Sequence, residues 1–195
     1  MNLEINDALI PGTKLKKSDM GNVTGLEFLS KVFYISEGVM LSQIREVSGI
    51  DGSTLQNWTK RGWVANARLK KYNIDQVAHI LIINMLRSCI QLDHIAFLLQ
   101  YINGKIDDTS DDIIRDSVLY DYICRILEAL TRQDVASKVS IKETIREQIS
   151  DYEEVMEGAR ERLAKALEII VTAYYAALIK RSSDKMLANL MSSAF

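Results

Sequence analysis

Two short helix patterns separated by a single glycine constrain the fold of this chain more than any other feature. In the first, Leu41, Ile44 and Val47 recur every three residues, which places them on one face of a helix. Ser42 is positioned to cap this helix. Gly49 ends it, because glycine accepts the left-handed backbone conformation found just past a helix C-terminus.

The second pattern begins with the capping residue types Asp51, Ser53 and Thr54 and turns Leu55 and Trp58 inward. Its other face carries polar and basic side chains, namely Gln56, Asn57, Lys60 and Arg61. Two short helices joined by a glycine turn are typical of a helix-turn-helix. Such polar and basic side chains can bond base edges in the major groove. The hydroxyls and the helix N-terminus are suited to holding phosphate.

A small β-wing is predicted after the second helix, over residues 63–72. The segment starts with apolar residues, turns near Asn66 and returns with basic ones, Arg68, Lys70 and Lys71. The lysines are expected to contact phosphate, whereas Tyr72 could anchor the wing or donate to phosphate. Asn73 then caps a third helix, with Gln76 in the capping-box relation.

The remainder of the chain predicts further helices and a self-association region. A broad apolar face follows Asp111, and a last helix runs from about Lys142, or more surely Tyr152, to Lys180. Alternating spacings of four and three form a seam of Tyr152, Met156, Ala159, Leu163, Ala166, Ile170, Ala173 and Ala177. Small residues in such a seam permit close helix–helix approach, so a homodimer through the C-terminal helices is expected.

Composition and charge fit an all-α fold with a local basic surface. One proline and nine glycines leave few of the loop signals of a sandwich or barrel. The formal charge is −2, but residues 42–72 carry six cations against two acids, and residues 103–161 carry fifteen acids against eight cations. A local positive face can steer DNA even when the total charge is negative.

Cofactor, metal and membrane classes receive no support from the sequence. Cys89 and Cys124 lack a CxxC spacing and fit small buried thiols in a reducing cytoplasm. His79 and His94 have no second ligand at i+4 and are expected to be surface or semi-buried. The apolar stretch over residues 163–179 carries Lys165 and Glu168, which indicates a buried helix of a cytoplasmic protein.

The acidic run from Asp107 to Asp116 lacks EF-hand spacing, and whether it binds a cation is left open. Thr109 or Ser110 is expected to cap the helix that follows, and acids in its first turn favour the helix dipole. No nucleophile elbow, phosphate-cradling glycine loop or paired acid and base is present, so we do not expect an enzyme.

Residues 43–99 resemble the MerR family of regulators. The likeness is carried by the strings at 43–50, 54–64, 70–77 and 91–99. It implies a winged helix-turn-helix that binds double-stranded DNA as a homodimer. The runs at 55–64, 82–87 and 101–104 are more similar still to an uncharacterised family of Gram-positive bacteria, a domain of unknown function. That second likeness implies a fold and no activity.

We therefore expect three regions: a flexible segment at 1–24, a MerR-like winged helix-turn-helix domain at 25–104, and a helical dimerisation or effector region at 105–195. The expected function is a DNA-binding transcriptional regulator, with a small-molecule or protein effector left open. The expected DNA-binding residues are Ser42, Arg45, Ser53, Thr54, Gln56, Asn57, Lys60, Arg61, Arg68, Lys70, Lys71 and Tyr72. The alternative is a protein-interaction adaptor that keeps the fold without binding DNA and uses its acidic half as the partner surface.

Overall fold

A computed structural model gives a mostly helical chain with one small sheet, in agreement with the all-α prediction. It describes residues 9–34, 37–106, 108, 110–132 and 138–193. In chain order the helices and strands are α1 Gly25–Val32, β1 Val39–Met40, α2 Leu41–Ser48, α3 Gly52–Lys60, β2 Lys71–Tyr72, α4 Ile74–Leu86, α5 Leu92–Asn103, α6 Asp116–Arg132, α7 Lys138–Gln148 and α8 Ala159–Ser193. Within these described ranges, no helix is both long and apolar enough to cross a membrane.

Helices α4 and α6 form the centre of the fold. Helix α4 is apolar on nearly every side and buries eight of its thirteen residues, as expected of a helix enclosed by others. Helix α6 packs against α1, α4, α7 and α8. One cluster of buried residues extends from Ile10 to Val171 and crosses the predicted boundary at 104/105. The division into three regions stays a prediction.

The N-terminal segment differs from expectation, because residues 9–24 pack onto the helices. Ile10 is fully buried, and the Tyr120 hydroxyl donates a hydrogen bond of 2.7 Å to the Pro11 carbonyl. Gly12 has a φ of 75°, and a Cβ there would lie 2.2 Å from the carbonyl oxygen of Leu81. These contacts join residues far apart in the chain, so local sequence patterns do not reveal them.

Helix α2 forms where it was predicted, although with a different cap. It begins at Leu41, and the backbone N–H of Met40 donates to the Gln43 side chain at 2.8 Å. Ser42 therefore lies inside the first turn, and its predicted capping role is wrong. Gly49 ends the helix with a left-handed φ of 73°, as predicted.

The next two helices begin at the predicted caps. The Asp51 carboxylate accepts the Thr54 backbone N–H at 2.8 Å and caps α3. Asn73 caps α4 by accepting the N–H of Gln76 at 2.8 Å, and the Gln76 side chain accepts the Asn73 N–H at 2.9 Å. Both arrangements satisfy backbone donors that a helix start leaves unpaired.

The sheet is smaller than the predicted wing. Strands β1 and β2 are antiparallel, with Val39 opposite Tyr72 and Met40 opposite Lys71. The basic return of the wing thus pairs with the residues that lead into α2. Within residues 63–72 the hairpin is reduced to one β-bridge between Arg68 and Lys71.

The C-terminal helix both begins and ends later in the chain than predicted. Helices α7 and α8 are separate, and α8 begins at Ala159, after Gly158 adopts a φ of 80°. Tyr152 precedes α8 and is buried. Its hydroxyl donates a hydrogen bond of 2.8 Å to the Ile113 carbonyl. The seam residues from Ala159 to Ile170 face the chain's own core, so this half of the seam is not free to pair with a second copy.

Candidate nucleic-acid interface

Helix α3 presents a polar face to solvent, as its sequence pattern predicts. Leu55 and Trp58 are fully buried on its inner side. Gln56, Asn57 and Lys60 are exposed, and none of their side chains forms a hydrogen bond or ion pair with another described residue. These three side chains are therefore available to an external partner.

Arg61 follows α3 and is held against an aromatic ring. Its guanidinium carbon lies 5.0 Å from the centroid of the Trp63 ring, a cation–π contact. The Trp63 backbone N–H donates to the Trp58 carbonyl at 2.9 Å, so the chain turns sharply as it leaves the helix. Trp63 packs partly against the core, and Arg61 remains exposed.

The N-terminus of α3 is occupied by the carboxylate of Asp51. The hydroxyls of Ser53 and Thr54 both donate to it, the latter at 2.6 Å, and these bonds hold the pKa of Asp51 well below its usual range. The two hydroxyls are already committed, and a fixed negative charge stands where a phosphate would bind. Contact of Ser53 and Thr54 with phosphate stays a prediction, and it would require their hydroxyl protons to leave the Asp51 carboxylate.

The turn between Arg68 and Lys71 carries three exposed cations, Arg68, Lys70 and Lys71. The backbone N–H of Arg68 donates to the Lys71 carbonyl at 3.0 Å, and the reverse bond is 2.9 Å. Leu69 and Lys70, the two residues at its tip, have φ values of 50° and 63°. Left-handed backbone costs a non-glycine residue about 1–2 kcal/mol. The side chains of Arg68, Lys70 and Lys71 are exposed and make no ion pair with a described acid.

Three other predicted residues lie in different surroundings. Tyr72 is 7% exposed, and burial raises the pKa of its phenol, an effect that the nearby Thr59 hydroxyl partly offsets. It anchors the turn to the core and does not lie on the candidate interface. Ser42 and Arg45 are exposed on α2, and the Arg45 side chain passes beside Gly52 at the start of α3.

His79, which sequence reasoning left without a role, connects the segment after α3 to α6. Its Nδ1 lies 2.9 Å from the Asp116 carboxylate and its Nε2 3.0 Å from the Trp63 carbonyl oxygen. Both partners only accept hydrogen bonds, so the doubly protonated ring satisfies both. Burial lowers the pKa of His79, but the bond and charge of Asp116 and the Trp63 carbonyl outweigh it and raise the pKa.

A groove of about 1310 Å³ adjoins this histidine, between the Trp63 segment, α5 and the acidic run. Burial and the charges of neighbouring carboxylates raise the pKa of Asp112 to about 6. No group of three or more described His, Cys, Asp or Glu side chains is arranged to hold a metal ion. Asp107 lies outside the described residues. Cys124 is buried, as expected, whereas Cys89 is exposed.

Comparison with known sequences places this fold in a family. A family described as Domain of unknown function (DUF1836) matches residues 24–123. The chain belongs to the DUF1836 family. The DUF1836 match includes every residue of the candidate interface and ends within α6, so α7 and α8 lie outside it.

A relative of this DUF1836 protein is the uncharacterized protein YkrK of Bacillus subtilis (strain 168). The two are 28% identical over 166 residues, which is 80% of this chain and 71% of YkrK. No solved structure matches the chain. The findings bear out the likeness to an uncharacterised Gram-positive family, and the likeness to MerR regulators stays a prediction.

Proposed function

We propose that this DUF1836 protein is a sequence-specific DNA-binding transcriptional regulator that acts as a homodimer. The observation that carries the proposal is the pairing of an exposed polar helix face with a basic turn. The side chains of Gln56, Asn57 and Lys60 on α3 have no partner within the described chain, and the same holds for the side chains of Arg68, Lys70 and Lys71 at the turn. These two amide and four basic side chains together form a surface suited to duplex DNA, which offers phosphates to the cations and base edges to the amides.

The chemistry of these groups suggests that α3 contacts bases and the basic turn contacts phosphates. Glutamine and asparagine bond adenine edges in the major groove, and lysine and arginine bond guanine or phosphate. Gln56 and Asn57 would therefore read bases from α3. The turn lysines, Lys70 and Lys71, would contact phosphate and set the affinity and its dependence on salt.

The proposed homodimer uses the end of α8. From Ile179 onward this helix leaves the core, and an apolar stripe runs along it. The stripe consists of Ile179, Met186, Leu187, Leu190 and Met191, each at least 54% exposed. Arg181 and Lys185 lie on the opposite side of the helix. An isolated helix of about 15 residues is marginal in water. A second copy with the same stripe would bury both stripes.

The experiment is selection of fragments from bacterial genomic DNA by the purified full-length protein. The test variant is K60A/R61A/K70A/K71A, and the matched control R132A/K142A/R146A/K165A removes the same charge from α6, α7 and α8. We expect the wild type and the control to enrich the same fragments and the test variant to lose them. A folded wild type that retains no DNA would contradict the proposal and favour the adaptor function instead.

A further inference from the structure

The tip of the basic turn has a backbone that its residues do not favour. A two-residue hairpin with positive φ at both central positions is a type I′ turn, which asparagine, aspartate and glycine occupy most readily. Here the two positions are Leu69 and Lys70. A bulky residue at positive φ is unusual, and a strained position of this kind often marks a functional site.

Leu69 gains nothing from this conformation within the described chain. Its side chain is 91% exposed, more than any other large hydrophobic residue that the structure describes. An asparagine would fit the turn better and would also remove an apolar side chain from water. The strain and the exposure together indicate that Leu69 is held for a contact outside the chain.

The base of the turn is fixed at several points. Tyr72 is buried beside it, and the Gln76 side chain donates to the Asn66 carbonyl at 2.9 Å. His79 bonds the Trp63 carbonyl at the start of the segment. The tip therefore presents Leu69 from a rigid support, which reduces the ordering cost of a contact there.

The surroundings of Leu69 favour a polyanion as its partner. Arg68, Lys70 and Lys71 flank it, so three of four consecutive residues are exposed cations without an ion pair to a described acid. A second copy of this turn would be repelled. Proteins that bind the minor groove of DNA combine cations with an apolar wedge, leucine among them, that enters between base steps and bends the duplex.

We propose that Leu69 is a wedge that enters the minor groove of DNA and bends it, with Arg68, Lys70 and Lys71 on the flanking phosphates. The inference rests on the proposed DNA-binding function and adds a groove, a residue and a deformation to it. Pyrimidine–purine steps such as TA unstack easily, whereas A-tracts are stiff, so the wedge favours duplexes with TA steps.

The test compares the full-length wild type with L69N and L69M on end-labelled duplexes of one length. One duplex carries a central TA step and the other an uninterrupted A-tract. Asparagine accepts the turn conformation and removes the wedge, and methionine retains an apolar wedge. Affinity is measured by fluorescence anisotropy, bending by energy transfer between the duplex ends, and folding by thermal denaturation.

We expect L69N to unfold at the same or a higher temperature than the wild type. It should bind the TA duplex about tenfold more weakly, the equivalent of one buried leucine, and bend it less. Its salt dependence should be unchanged because no charge is lost, and L69M should bind and bend like the wild type. If L69N binds and bends the TA duplex like the wild type, the proposed wedge role of Leu69 is wrong, whereas the proposed DNA-binding function is unaffected. Any DNA-binding protein is expected to bind duplex phosphates at low salt, so a wild type that binds neither duplex at low salt contradicts both proposals.

Discussion

Replacing His79 with alanine gives the sharpest stability prediction, because one side chain joins two parts of the fold. The imidazolium donates to the Asp116 carboxylate at 2.9 Å and to the Trp63 carbonyl at 3.0 Å, and the side chain is 12% exposed. The alanine variant leaves both acceptors without this donor. It also frees the segment that leads from α3 to the basic turn.

The expected cost follows from the two hydrogen bonds. A hydrogen bond to a charged group contributes about 1.5–3 kcal/mol, but Asp116 is 22% exposed and keeps a hydrogen bond from Asn103 at 3.3 Å. The penalty therefore stays below that of a fully buried ion pair. We expect H79A to lower the free energy of unfolding by about 2–3 kcal/mol at acidic to neutral pH.

The pH dependence of this effect has a defined sign. The folded state raises the pKa of His79 above its ordinary value of 6.5. The protonated ring is the form that the fold stabilises, so its contribution is complete below pH 6.5 and is lost as the pH rises through the folded pKa. The free energy of unfolding of the wild type should therefore fall as the pH rises through the folded pKa of His79, and that of H79A should fall less.

The assay is urea unfolding of wild type and H79A at about pH 6 and about pH 9, on either side of the histidine range. His94, exposed on α5, provides the control H94A, which should change the free energy of unfolding by less than about 0.5 kcal/mol. A free energy of unfolding for H79A equal to that of the wild type at about pH 6 would contradict this role of His79, and so would a difference between the two proteins that is the same at about pH 6 and about pH 9.

Three further predictions concern the acidic run, the N-terminal segment and the end of α8. D112N should raise the free energy of unfolding near neutral pH by about 1 kcal/mol, because the fold raises the pKa of Asp112 to about 6 and so disfavours its charge; urea unfolding that shows a decrease would contradict this. Y120F should cost about 1–3 kcal/mol in the same assay, since the buried Pro11 carbonyl loses its donor; an unchanged midpoint would count against this hydrogen bond. M186D/L190D should convert a dimer to a monomer in sedimentation equilibrium while the buried core stays folded, because the changed residues lie beyond that core, and a variant that stays dimeric would rule out the stripe.

Local patterns predicted much of the helical framework. The spacing of Leu55 and Trp58 identified the buried side of α3, and Asn73 with Gln76 identified the start of α4. These features depend on residues within one or two turns of each other, so the sequence carries them directly. The polar face of α3 follows from the same periodicity.

Long-range contacts explain most of the differences. Ile10 joins the core through helices whose positions the segment itself does not specify. His79 meets Asp116, which lies 37 residues away. At the start of α3, Asp51, Ser53 and Thr54 are all good capping residues, and the sequence does not show that both hydroxyls donate to the Asp51 carboxylate.

The most direct test of DNA binding is the salt dependence of affinity for duplex DNA. Each phosphate that a cation neutralises adds about 0.9 to the slope of log affinity against log salt concentration. We expect K60A/R61A/K70A/K71A to flatten the wild-type slope by about 2–4, in proportion to the number of phosphates that these four cations neutralise, and R132A/K142A/R146A/K165A to leave it unchanged. Equal slopes for wild type and test variant, or affinity independent of salt, would contradict the assignment of this surface to DNA.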